Sequence, residues 1–522
     1  MLKLTEASLA WALEHALAFG DTDVFPRLFE FEAIKHDWTN VKAHLLAEDV
    51  LQWKVRPHRT LLAAKGRAGF RPVTQLDPLD FLVFAALIRE IGQDIEDRRV
   101  PVKSETVFSY RFSPTKQGRL FDPKIGYTSF VERAAAILAT KKPPAFVVVT
   151  DIADFYPRIY HHRLENALHA STTKANHVKA LMSLLGGWNG TESFGIPVGS
   201  APARLLAESV LMDVDESLLA HGIAFIRFND DYRIFASSFD EAYRHLAMLG
   251  DILHRNHGLT LQKEKSAILK RKDFEARFLD TPARKEKASL RDKFGALVKS
   301  LGLGNPYETI DYDELDTAQK AIVDSLNLSE LLEEELNSKE PDYAIIRFAI
   351  RRFAQLQDDS AVPLLLDQIE DSHPAFPDTI RYLLALNTLS KSARHTLGGR
   401  ILDLLDDSVV SELAWHRMWA LTLFTKGTEW NHSDRFVGLI ADVNDLLLRR
   451  ELILALGRAG QRHWFQSHWR SLFEESPWPR RALLAAASCL PPDARKHWYK
   501  SLMSRLDVLE TAVVHWARQN PF

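Results

Sequence analysis

Two regimes of apolar patterning divide the chain. From residue 343 onward, apolar positions recur every three to four residues, at Tyr343–Phe353, Asp378–Leu389, Ala414–Phe424, Leu447–Ala459, Trp478–Leu490 and Leu509–Gln519. That is the spacing of one buried helix face. Most of these segments carry an arginine followed by small and aliphatic residues: Arg347, Arg381, Arg417, Arg450 and Arg481, at intervals of 34, 36, 33 and 31 residues. Two helices per interval predict an α-solenoid of HEAT-like type, in which each helix pair buries its apolar face only against its neighbours.

Residues 140–270 follow a different rule. Ala145–Thr150 is a short β-branched run after two prolines, the pattern of a buried strand. Ile223–Phe228 and Tyr232–Ala236 are apolar runs joined by Asn229-Asp230-Asp231, which predicts a β-hairpin with its polar residues at the tip. Pro202–Leu219 reads as an amphipathic helix. After Ser300 come Leu-Gly-Leu-Gly-Asn-Pro and an acidic helical stretch through Glu333–Glu335, which punctuate the chain. The expected organisation is therefore N-terminal helices with an extended region over 1–145, a mixed α+β core over 146–300, a linker over 301–340 and helical repeats over 341–522.

Composition narrows the class. Of 522 residues, 46% are hydrophobic and 26% charged, as in a soluble globular protein and unlike a disordered chain. A single cysteine, Cys489, excludes a disulfide framework or a thiolate metal cluster and fits a reducing, cytoplasmic setting. No membrane span or signal-peptide pattern is expected. The net charge of −3 is a sum of unlike parts: residues 1–300 hold 42 Lys and Arg against 37 Asp and Glu, and residues 301–522 hold 24 against 32. Within the first part, 51–150 stands at 17 against 9 and 251–300 at 13 against 7. Such excesses suit either solvated faces or a basic channel for phosphates, and charge alone does not choose.

The carboxylates are more informative. Asp-Asp occurs at 230–231, 358–359 and 406–407, and only the first pair is flanked on both sides by strand-like runs. Adjacent acids at a hairpin tip repel one another unless a cation sits there. Asp151 ends another apolar strand, with Asp154 three residues on. Two strand ends bearing carboxylates suit Mg²⁺, which takes a few carboxylate oxygens and keeps other positions for water and phosphates. Two such ions about 4 Å apart suit phosphoryl or nucleotidyl transfer.

Four segments between Val148 and Lys265 carry a family resemblance. Val148-Val-Thr-Asp151-Ile-Ala-Asp-Phe-Tyr156 resembles motif A of reverse transcriptases, and Gly195-Ile-Pro-Val-Gly199, leading into a helix with Ala207-Glu208, resembles motif B. Arg227-Phe-Asn-Asp-Asp231 is similar to motif C, and Leu259-Thr-Leu-Gln-Lys-Glu-Lys265 to the segment with the motif D lysine. Asp21-Thr-Asp-Val-Phe-Pro26, Phe70-Arg-Pro-Val-Thr-Gln-Leu-Asp-Pro78 and Val107-Phe-Ser-Tyr-Arg-Phe112 resemble the bacterial abortive-infection and unknown-group reverse transcriptases associated with defence. The resemblance implies an α+β reverse-transcriptase-like fingers and palm, followed by an all-α HEAT-like helical-repeat domain in place of the usual thumb.

By that resemblance, Asp151, Asp230 and Asp231 are the catalytic carboxylates. They hold two Mg²⁺ ions, or Mn²⁺ in their place, with Ile152 beside them. The nucleotide site falls on Lys65, Arg71, Asp154, Phe155, Tyr156, Gly195, Pro197, Gly199 and Lys265. Tyr156 stands where the family crowds the sugar 2′ position, and Lys65 and Arg71 where a fingers hairpin holds the triphosphate. Lys265 stands where a leaving pyrophosphate is protonated. Phe228 replaces the more usual Tyr of motif C, and Ala203 a frequent Ser in motif B, which places strict template reading in doubt while leaving every carboxylate intact. The family further implies an abortive-infection DNA polymerase that takes dNTPs, is untemplated and protein-primed, and leaves single-stranded DNA attached to itself. It also implies a homo-oligomer, with phage or host proteins as partners of the helical repeats. Residues 1–109 contain no tyrosine, so a tyrosine primer would come from the 11 later ones, with a serine or threonine hydroxyl as the alternative. The competing readings are a template-dependent reverse transcriptase copying a dedicated RNA, and an inert palm carrying a protein-binding solenoid.

Overall fold

A computed structural model describes residues 1–279, 316–324, 327–443 and 445–521. The end of the expected 146–300 core and residues 301–315 of the expected linker lie outside the described residues. The chain divides into two compact units, one of residues 1–60 with 73–281 and one of residues 61–72 with 282–522.

The first unit is built on a four-stranded antiparallel sheet in the order β4-β5-β3-β6, formed by β3 (Phe146–Asp151), β4 (Phe225–Phe228), β5 (Asp231–Ala236) and β6 (Ala267–Lys270). The β-branched run Val147-Val148-Val149 is buried on both sides of the pleat, so β3 takes the interior of the sheet. Val147 and Val149 pack with Phe235, Ile226 and the helix Tyr127–Leu138 through Phe130, Ala134 and Leu138. The helix Phe239–Ile252 runs by β3 and β5, and Phe239 meets Phe146 edge to face. A 21-residue helix, Pro78–Arg98, supplies the core of the N-terminal part. It starts on the N-cap Asp77, with Pro78 at the first position, and its residues from Pro78 to Ile88 are all buried.

Two expectations change in detail. The segment 202–219 is two helices, Ala201–Val210 and Met212–Ala220, because Leu211 departs from helical dihedrals at φ −94, ψ 3. The hairpin turn has two residues, Asn229 and Asp230, whereas Asp231 opens β5 and pairs with both Phe228 and Asp151. Asn229 makes the reversal by adopting φ 56, a left-handed conformation that asparagine tolerates better than most residues.

The second unit is helical. Helices lie at Leu328–Leu336, Tyr343–Gln355, Phe376–Ala385, Ala414–Lys426, Leu446–Arg458, Pro477–Ala486 and Val508–Gln519, and each packs on the next in that order. Leu331, Leu332 and Leu336 are buried, so the acidic segment around Glu333–Glu335 is the first member of this row. Three of the five repeated arginines, Arg347, Arg381 and Arg450, reach the following helix, and neighbouring arginines make similar contacts. Arg347 and Arg351 reach Asp378 one helix on, Arg449 reaches Glu475 before the next helix, and Arg480 reaches Glu510 in the last. Arg381 lies over Trp419 at 4.4 Å and Arg450 over Trp478 at 5.8 Å, again one helix ahead. Ion pairs and cation–π contacts thus recur at the repeat interval. Among the described residues, no helix is long and apolar enough to cross a membrane.

The hairpin of β1 (Arg59–Ala64) and β2 (Phe70–Gln75) is closed by Lys65 N–H donating to the Gly69 carbonyl at 2.8 Å. Its outer part, 61–72, belongs to the helical unit, where Arg67 donates to the Leu336 carbonyl at 3.0 Å and pairs with Asp371 at 2.7 Å.

Candidate active site

The catalytic candidates meet at one end of the sheet because of its register. Asp151, the last residue of β3, is the direct antiparallel partner of Asp231, the first of β5, so the two side chains share a face. Asp230 precedes Asp231 in the turn, and its carbonyl accepts the Ile152 N–H at 3.1 Å. The 259–265 segment runs alongside: Thr260 accepts from Ala153 N–H at 2.8 Å, and Gln262 N–H donates to the Asp151 carbonyl at 2.7 Å. These bonds bring Lys265 onto Asp151, and its ammonium donates to Asp151 Oδ2.

Burial and neighbouring charge together shift the carboxyls of Asp230 and Asp231. Burial, followed by the neighbouring Asp151 and Asp231, pushes the Asp230 carboxyl up to about 7. Burial also raises Asp231, against the pull of Arg233, which lies 3.5 Å away. Burial alone would depress the Lys265 ammonium, but its bond to Asp151 raises it instead. Among the described residues, no three His, Cys, Asp or Glu side chains are gathered as a metal-binding group. The reason is local: Asp151 is turned to Lys265, Asp231 to Arg233, and Asp230 accepts from Asn229 Nδ2 at 2.7 Å. The donor set nevertheless suits a hard divalent cation. It consists of carboxylate oxygens whose mutual repulsion such an ion would relieve. Ile152 is buried with an apolar side chain, so it can offer a cation only its carbonyl.

The other candidates fall in distinct environments. Tyr156 sits on the short helix Phe155–Arg158, and its hydroxyl donates to Asn229 Oδ1 at 3.3 Å. Asp154 is exposed with φ 46, and Phe155 is buried at 2% exposure, so its ring belongs to the core. Gly195 and Gly199 both have left-handed φ, +91 and +118, and flank Pro197. A Cβ on Gly199 would lie 2.6 Å from Thr22 Oγ1, so this glycine admits the 21–26 loop. The Val198 carbonyl accepts Thr74 N–H at 3.0 Å, and Gln75 donates to Asp21 Oδ2 at 3.0 Å, so the same loop is tied to β2. Lys65 and Arg71 are exposed in the helical unit.

Several residues around the site carry no assignment from sequence. Asn229 links Tyr156 to Asp230. Arg204 pairs with Asp23 at 2.5 Å and lies over the Tyr110 ring at 5.4 Å. Arg227 and Glu208 are completely buried. The available signal is a charge inside an otherwise apolar element, as in Phe225-Ile-Arg227-Phe and Arg204-Leu-Leu-Ala-Glu208.

Residues 83–285 match the family described as reverse transcriptase (RNA-dependent DNA polymerase), so the chain contains a reverse transcriptase domain that includes all three aspartates and Lys265. No curated protein matches the sequence. Among solved structures, the chain is similar to telomerase from Candida albicans with a fragment of telomeric RNA, at 9% identity and a TM-score of 0.33, covering 79% of this chain and 70% of that one. It is also similar to apo telomerase from Candida tropicalis, at 10% identity and a TM-score of 0.36, covering 75% and 74%.

Proposed function

We propose that the chain is a DNA polymerase of reverse-transcriptase type serving an abortive-infection defence, with DNA synthesis that is untemplated and primed from the protein itself. The observation that carries the polymerase reading is the pairing of Asp151 with Asp231 across adjacent strands, with Asp230 in the turn and Lys265 on Asp151. Asp151, Asp230 and Asp231 would hold Mg²⁺ or Mn²⁺. When bound, such ions neutralise triphosphate charge and lower the pKa of an attacking hydroxyl. Lys265 keeps its proton beside the carboxylates and can deliver it toward a leaving pyrophosphate oxygen. Tyr156 presents a ring next to the turn, where it would crowd a ribose 2′-OH and favour dNTPs. Gly195, Pro197 and Gly199 would shape the backbone on which a nucleotide rests, with Asp154 and the Phe155 backbone contributing from the motif A turn.

Loss of template reading is supported by Phe228. Its ring packs against Tyr110, Tyr127 and Phe130 and has no hydroxyl to offer a primer end. In this reading the helical unit is a HEAT-like solenoid, supported by the ion pairs and cation–π contacts that recur from helix to helix. Its acidic character suits protein partners and self-association better than a duplex. The test is incubation of purified protein with Mg²⁺ and each labelled dNTP, with and without added RNA, followed by protease. Label in long DNA that stays with the protein until digestion is the expected result. Synthesis only on added RNA would instead establish a template-dependent reverse transcriptase.

A further inference from the structure

A buried ion cluster stands behind the catalytic turn, and none of its members has a chemical role in the reading above. Arg227 is fully buried on β4. Its guanidinium donates through Nε and Nη2 to Asp215 at 2.8 and 2.5 Å, lies 3.1 Å from Glu208 through Nη1, and donates from Nη1 to the Asn229 carbonyl at 2.9 Å. Glu208 also accepts from Arg99 at 2.7 Å and from the Ser109 hydroxyl at 2.5 Å. Arg99 and Arg111 both reach Glu96 at 2.9 Å. Three arginines, 99, 111 and 227, therefore face three carboxylates, Glu96, Glu208 and Asp215. Burial would raise the Glu208 carboxyl, but Arg227, Arg99 and Ser109 bring it below its ordinary value, so the pairing is ionic.

Such a cluster is a poor device for stability, because desolvating the charges offsets much of their attraction. Its geometry serves another purpose. It spans the Pro78–Arg98 helix, the 99–111 segment, the helix carrying Glu208 and the catalytic hairpin, and it meets the turn at one backbone atom, the Asn229 carbonyl. The Arg227 backbone is fixed as well: its N–H donates to Thr106 O at 2.8 Å and its carbonyl accepts Phe108 N–H at 2.9 Å. We propose that Arg227 is a positioning residue, held by Glu208 and Asp215, that sets the Asn229–Asp230 turn, and with it Asp231 at the start of β5, relative to the helix after Gly199. This rests on the reading of Asp230 and Asp231 as polymerase carboxylates. The role requires arginine: its planar fork reaches Asp215, Glu208 and a carbonyl together, whereas the three donors of a lysine radiate from one atom.

The test is Arg227→Lys, which keeps the charge, with Glu208→Gln as the shape-conserving second variant. Hydrogen–deuterium exchange of full-length protein is read together with steady-state incorporation. In either folded variant, exchange should rise in peptides covering 228–232 and stay at wild-type rates in those covering 146–150 and 239–252. Turnover should fall about tenfold or more, with the dNTP KM within about twofold, as expected of a misplaced reacting group. Wild-type exchange at the turn with wild-type kcat would overturn the proposal, as would a uniform rise across the sheet, which marks a merely structural role. A turn that responds as stated in a protein that incorporates no nucleotide, wild type included, would leave the positioning intact and overturn the polymerase reading alone.

Discussion

Asn229 accepts the Tyr156 hydroxyl at 3.3 Å, which joins the residue proposed to face the sugar to the turn that carries Asp230. The bond is long, so the ring of Tyr156 rather than its hydroxyl should do most of the selection. Tyr156→Ala should raise ribonucleotide incorporation relative to deoxyribonucleotide by about 10- to 100-fold. Tyr156→Phe and Asn229→Ala should each change that ratio by no more than about threefold, and the double variant by no more than either. Competition between dATP and ATP measures it. An unchanged ratio in Tyr156→Ala would remove Tyr156 from the sugar site.

Lys265 donates to Asp151 in this structure, which places its proton beside the carboxylates. Lys265→Ala should lower kcat by about 100-fold, the usual contribution of a positioned proton donor, with a smaller change in the dNTP KM. Lys265→Arg should restore part of the rate. Single-turnover incorporation checks this, and a Lys265→Ala rate equal to wild type would place Lys265 outside the chemistry.

Asp21 gives a stability prediction that does not depend on activity. Burial pushes its carboxyl up to about 7, despite the bond from Gln75. A raised carboxyl means that the folded state binds the proton more tightly than the unfolded state, so stability falls as pH rises from about 4 to about 7. Asp21→Asn removes that dependence. It should stabilise the first unit by about 1–3 kcal/mol above pH 7 and by little near pH 4. Thermal unfolding across that range measures the difference, and a shift of equal size at both ends would contradict the assignment.

In the helical unit, Gly457 marks a close crossing. A Cβ there would lie 2.4 Å from the Ala486 Cβ on the helix Pro477–Ala486. Gly457→Ala should cost about 1–3 kcal/mol by overpacking. Gly438→Ala, on the exposed face of Ser433–Asp442 with nothing within 4 Å, should gain up to about 1 kcal/mol from helix propensity. Urea unfolding separates the two cases, and equal effects would argue against close packing at Gly457.

These cases show what the sequence carries and what it hides. Strand ends, the acidic hairpin and the helices from 343 onward are legible because each depends on residues close in the chain. Apolar period, turn formers and caps declare them locally. The two-residue turn was less legible, since Asp231 opens its strand by pairing both with Phe228 and with Asp151, the latter 80 residues away by number. The ion cluster was hidden for the same reason: Arg99 and Glu208 are separated by 109 positions. Charge counting misled in a related way. Part of the basic excess in 51–150 is Arg99 and Arg111, both buried at 4% exposure or less, so they add nothing to a basic surface. The recurring arginines were visible as spacing, but the partners that Arg347, Arg381 and Arg450 meet on the following helix were not.

The central claim is that Asp151, Asp230 and Asp231 form a nucleotidyl-transfer site. Incorporation of labelled dNTP in Mg²⁺ by wild type and by Asp230→Ala, with folding matched by circular dichroism, tests it most directly. The account predicts label in DNA for wild type and a loss of at least about 1,000-fold in the variant. No incorporation by either protein, with or without RNA, or equal incorporation by both, would contradict it.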